Sequence, residues 1–102
     1  MDLGIAGRVA IVTGASGGLG KATARMLSAE GVRLALFART LRPLQKAAEE
    51  IQSQTGNEVI AVAGDMCQVQ DVERLVEKVK ITFGSPGILI IVTGRPPRPR
   101  KV

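Results

Sequence analysis

Short runs of branched, apolar residues alternate with longer stretches whose apolar positions recur every three or four residues, from residue 8 to residue 92. Residues 8–13 (Arg-Val-Ala-Ile-Val-Thr) form a compact apolar run closed by Gly14, which predicts a strand. Residues 19–30 follow with Ala22, Ala24, Met26, Leu27 and Ala29 as an apolar side, and Gly31 stands where a helix-ending glycine belongs. Residues 32–38 read as a second strand. Residues 41–54 carry Leu44, Ala47, Ala48 and Ile51 at helical spacing, with Gly56 behind them. Residues 58–63 make a third strand. In residues 69–83, Val72, Leu75, Val76, Val79 and Phe83 mark one face of a third helix. After a Gly-Ser-Pro-Gly turn at 84–87, residues 88–92 (Ile-Leu-Ile-Ile-Val) form the most apolar strand of the four.

The order is therefore βαβαβαβ. Strands without polar alternation, separated by helices, predict an α/β fold in which a parallel sheet is covered on both faces and joined by right-handed crossovers. For a doubly wound sheet the expected strand order is 3-2-1-4, incomplete beyond the fourth strand. Residues 88–92 then lie at an edge. Five consecutive branched residues suit an interior strand, so this edge is expected to pair with a second copy or another chain.

Between the first strand and the first helix lies Thr13-Gly14-Ala15-Ser16-Gly17-Gly18-Leu19-Gly20. Unpaired amides and the partial positive charge at a helix N-terminus suit a pyrophosphate. Glycines let the backbone approach the phosphates, Ser16 offers a hydroxyl, and Gly20 permits close packing of helix on sheet. A phosphate-binding P-loop does not fit: Ala15 stands where its first glycine belongs, and Ala22 follows Lys21 where Ser or Thr must hold Mg²⁺. The pattern is that of a Rossmann-type dinucleotide site. No carboxylate occurs between Gly31 and Leu44, where an NAD site would hold the ribose 2′-hydroxyl, whereas Arg39 and Arg42 do occur there. This favours NADP(H) over NAD(H). Asp65, after the third strand, is placed either to accept a hydrogen bond from an adenine amino group or simply to serve as a helix N-cap or turn residue.

Composition narrows the chemistry further. The chain has 102 residues and no His, Tyr or Trp. Histidine-dependent nucleophiles, histidine general bases and histidine-ligated metals are excluded, as are phenolic acids. A single cysteine, Cys67, implies a reduced, cytoplasmic setting, and its thiol is expected to be packed rather than reactive. Neither a secretory leader nor a membrane-length apolar run is visible. The net charge is +5, of which +4 lies in residues 95–102, leaving +1 on residues 1–94. Residues 1–94 are accordingly expected to form the dinucleotide-binding domain, and 95–102 a basic, proline-rich, disordered tail. No aromatic interleaves the tail's arginines, which argues against a nucleic-acid partner.

Taken together, these motifs resemble the short-chain dehydrogenase/reductase family, in particular its 3-oxoacyl-acyl-carrier-protein-reductase-like members. The likeness runs over residues 3–94: the Thr-Gly-x₃-Gly-x-Gly loop at 13–20, Ala38-Arg39 after the second strand, Asp65-Met66 after the third, and Gly94 after the fourth. At 91–94 this chain has Ile-Val-Thr-Gly where the family has Asn-Asn-Ala-Gly, and only the glycine matches. The resemblance implies cofactor contacts from Gly14, Ser16, Gly18, Leu19, Gly20, Arg39, Asp65, Met66 and Gly94. It also implies hydride transfer between NADP(H) and a carbonyl or alcohol carbon, such as that of a 3-oxoacyl thioester. The family's catalytic Ser and Tyr-x-x-x-Lys have no counterpart in these 102 residues, so the sequence reads as a truncated, cofactor-binding half, inactive by itself. The alternative is a non-catalytic nucleotide-binding or chain-pairing module.

Overall fold

The computed structural model describes residues 7–15 and 18–84, and the backbone of residues 88–92. Its elements are β1 (Val9–Thr13), α1 (Gly18–Ala29), β2 (Arg33–Ala38), α2 (Leu41–Thr55), β3 (Val59–Ala63), α3 (Val69–Phe83) and β4 (Ile88–Val92). The expected boundaries hold to within one residue. All four strands are parallel, in the order β3-β2-β1-β4. Val9 stands opposite Arg33 on one side and Ile88 on the other, and Leu34 stands opposite Val59.

The period-two geometry of a strand divides the interior into two cores. Ala10, Val12, Leu34, Leu36 and Val59 face α1 and α2, where Ala24, Leu44, Ala47 and Ile51 complete a buried cluster. Val9, Ile11, Ala35, Phe37 and Val62 face the opposite way, onto Leu75, Val79 and Phe83 of α3. Every residue of β1 is buried because it has a neighbouring strand on each edge and helices over each face.

The face that α1 buries differs from the one its sequence suggests. Gly20, Ala24 and Ser28 are buried, with Leu27 partly so, while Met26 is 63% exposed and Ala22 and Ala29 also face solvent. Spacing of i, i+4 and i+8 by small residues lets the helix lie close to its neighbours, and closeness here outweighs side-chain bulk. The serine is tolerated because its polar groups are matched. Thr55 Oγ1 donates to the Ile51 carbonyl at 2.9 Å, so it accepts from Ser28 Oγ at 2.7 Å, and Asn57 Nδ2 donates to the Ser28 carbonyl at 2.6 Å. Lys21 of α1 also pairs with Glu50 of α2.

The expectations attached to Ser16, Gly94 and residues 95–102 lie outside the described residues.

Candidate nucleotide site at the strand ends

Parallel strands deliver all their C-terminal ends to one side of the sheet, and those sequence-predicted residues that are described (Gly14, Gly18, Leu19, Gly20, Arg39, Asp65 and Met66) collect there. Thr13 ends β1 and is buried. Gly14 then turns with φ 65°, exposed, its amide donating to the Phe37 carbonyl of β2 at 2.8 Å. Ala15 is fully buried. Gly18 opens α1 with φ 57°, and a Cβ placed there would meet nothing within 4 Å. Both glycines thus hold backbone conformations that a side chain disfavours, and Gly18 does so beside open space. No acidic side chain stands in the first turn of α1, so nothing on the helix itself offsets the positive end of its dipole. Leu19 is 72% exposed beside this opening, and Gly20 is buried beneath it.

At the end of β2, Arg39 is exposed and lies 4.0 Å from Asp65 Oδ1 at the end of β3. The neighbouring pairing of β2 with β3, Ala38 opposite Ala63, brings these two side chains together across 26 residues of sequence. Arg42 and the helix-capping Thr40 are exposed as well.

Asp65 makes a turn rather than capping α3, whose N-cap is Gln68. Its Oδ1 accepts the Cys67 amide at 2.9 Å, and its carbonyl accepts the Gln68 amide at 2.9 Å. Met66 is 44% exposed and shares a shallow apolar groove with Val69, Val72 and Val76 of α3. Cys67, expected to be packed, is exposed: it belongs to this surface turn beyond the strand's end, outside either core.

Three residues absent from the sequence expectations shape the same corner. Gly64 donates to the Ala38 carbonyl at 2.9 Å, and a Cβ on it would stand 2.7 Å from Phe37 Cζ and 3.0 Å from Asp71 Cβ. Asp71 Oδ2 accepts the Asp65 amide at 2.9 Å. Arg74 Nη2 donates to the Ala63 carbonyl at 2.7 Å while its Nη1 stands 3.2 Å from Asp71 Oδ1. The i, i+3 spacing of Asp71 and Arg74 is visible in the sequence, but that signal points only to a helix-surface ion pair.

The geometry fits a dinucleotide by its own chemistry. Open glycines meet a helix N-terminus at one strand end, and a guanidinium and a carboxylate meet at the next two. Residues 8–101 match the model of the short chain dehydrogenase family. An uncharacterized oxidoreductase of Listeria monocytogenes is 34% identical over 90 residues, which cover 88% of this chain and 36% of that protein. Among solved structures, L-sorbose reductase from Gluconobacter frateurii, complexed with NADPH and L-sorbose, superposes with a TM-score of 0.79 at 39% identity, covering 82% of this chain and 32% of that one. A 3-ketoacyl-ACP reductase from Sinorhizobium meliloti superposes with a TM-score of 0.71 at 34% identity, covering 74% and 29%. The chain thus spans about a third of the length of these relatives.

Proposed function

The chain belongs to the short-chain dehydrogenase family, and from that premise we propose that it binds NADP(H) across the C-terminal ends of β1, β2 and β3. In this reading the amides around Gly14 and Gly18 and the N-terminus of α1 hold the pyrophosphate, with Ser16, Leu19 and Gly20 completing the loop. Arg39 takes the 2′-phosphate and Asp65 and Met66 border the adenine, while a backbone contact from Gly94 to the adenosine ribose is what the family resemblance adds. The observation that carries it is the pair of exposed, left-handed glycines at the mouth of α1, with open space before Gly18. The relatives' class of reaction supports hydride transfer between NADP(H) and a carbonyl or alcohol carbon as the activity of the whole protein. Within these 102 residues, which contain no Tyr, the contribution is cofactor binding and not the acid–base step. The lone thiol of Cys67 is in keeping with a cytoplasmic setting.

Titration of the chain with NADPH and NADH by calorimetry tests this. NADPH is expected to bind more tightly than NADH, and Arg39→Ala to remove that difference while leaving NADH affinity within about twofold, since only one charge-assisted contact is deleted. Absence of binding by either nucleotide to a folded sample overturns the reading.

A second reading is favoured by one observation: β4 stands at the end of the described sheet. Among the described residues its outer edge has no partner strand, which supports, as the alternative to cofactor binding, a non-catalytic chain-pairing module.

A further inference from the structure

We propose that Asp71, braced by Arg74, is a positioning residue for the nucleotide site, acting through Asp65. The inference rests on the dinucleotide reading above and adds a residue to it. Asp71 occupies the third position of α3, where an acidic side chain ordinarily reaches back to the N-cap amide of its own helix. Here the carboxylate reaches past the N-cap Gln68 to the amide of Asp65, at 2.9 Å. Its other oxygen faces Arg74 Nη1 at 3.2 Å, and the same guanidinium holds the Ala63 carbonyl at 2.7 Å.

The last residue of β3 and the residue bearing the candidate adenine contact are thereby fixed to the first turn and a half of α3. Every backbone polar group of Asp65 is engaged, through Asp71 and Gln68, and its carboxylate is held by the Cys67 amide. The direction in which that carboxylate faces Arg39 is therefore set from α3. The sheltered arm of the bracket is the bond from the Asp65 amide to Asp71, whose side chain is 25% exposed, while the Arg74 side chain, 57% exposed, braces it from the solvent side.

The test is a double-mutant cycle on the full 102-residue chain, read as NADPH affinity by calorimetry alongside the thermal midpoint. Asp71→Ala is expected to weaken NADPH about fivefold, the value of one net hydrogen bond. In an Asp65→Ala background the same substitution is expected to change affinity by less than about twofold, because the residue through which it acts is gone. Asp71→Asn retains an acceptor oxygen and is expected to recover most of the loss. An equal loss in both backgrounds makes Asp71 merely structural and overturns the proposal, as does an unchanged affinity in Asp71→Ala. If Asp71→Ala does not fold, Asp71→Ser takes its place in the cycle with the same two outcomes. Wild-type chain that is folded but binds no NADPH sinks the dinucleotide reading itself, and the role of Asp71 with it. Wild-type binding with a null cycle removes only the latter.

Discussion

Individual residues at the strand ends are constrained by what surrounds them more than by their own type. Gly64 shows this most clearly. Its φ is not positive, so an alanine would meet no backbone penalty, yet its Cβ would stand 2.7 Å from the tip of the Phe37 ring. Phe37 is 1% exposed and packed among Ile11, Val62 and Leu75, so the ring has no room to withdraw. Gly64→Ala is therefore expected to destabilise the fold by about 1–3 kcal/mol, the usual cost of overpacking, and thermal denaturation will read it. Glu50 provides a second test at this scale. The hydrogen bond and charge of Lys21 hold its carboxyl below the ordinary 4.5 of glutamate. A lowered folded-state value stabilises the fold above the unfolded value and is lost as pH falls through the folded one. Glu50→Gln is thus expected to lower stability slightly near neutrality, where an exposed pair contributes little, and to lose even that difference as pH falls below about 4.5, so that its acid decline is the flatter of the two. Acid-denaturation curves of the two proteins distinguish these outcomes.

Elements were more legible than faces. Strong apolar runs and the glycines that punctuate them located all seven elements, because strand length and helical period are local properties of the chain. The face of α1 was misread for a physical reason: bulk signals burial only when partners are at ordinary distance. Here Gly20, Ala24 and Ser28 allow a close approach, and Met26 is left outside. Ala24→Leu is accordingly expected to cost about 1–3 kcal/mol through overpacking, whereas Met26→Ala should shift the thermal midpoint little. The site was legible in part for the same reason. Gly14, Arg39 and Asp65 could be found from their place after each strand, but the 4.0 Å approach of Arg39 to Asp65 and the reach of Asp71 back to the Asp65 amide arise only when neighbouring strands are set side by side.

At the scale of the whole molecule, the sheet is unevenly dressed. Among the described residues two helices cover one face and α3 alone covers the other, with Val69 70% exposed and Ile81 78% exposed on α3. The outer edge of β4 also has no partner strand among the described residues, which leads us to expect concentration-dependent self-association of the 102-residue chain taken by itself, read as a hydrodynamic radius that grows between micromolar and millimolar protein. A sharp monomeric elution peak at all concentrations, accompanied by one cooperative thermal transition, contradicts it. The two-sided interior has a further result for the way such a chain can change. β1 sends Val9 and Ile11 one way, Ala10 and Val12 the other, in register with both β2 and β4. Inserting or deleting a single amino acid inside Val9–Thr13 would swap the occupants of both interiors at once, crowding one and hollowing the other. A scan of one-codon insertions scored for folded protein should therefore show a blank window over this strand.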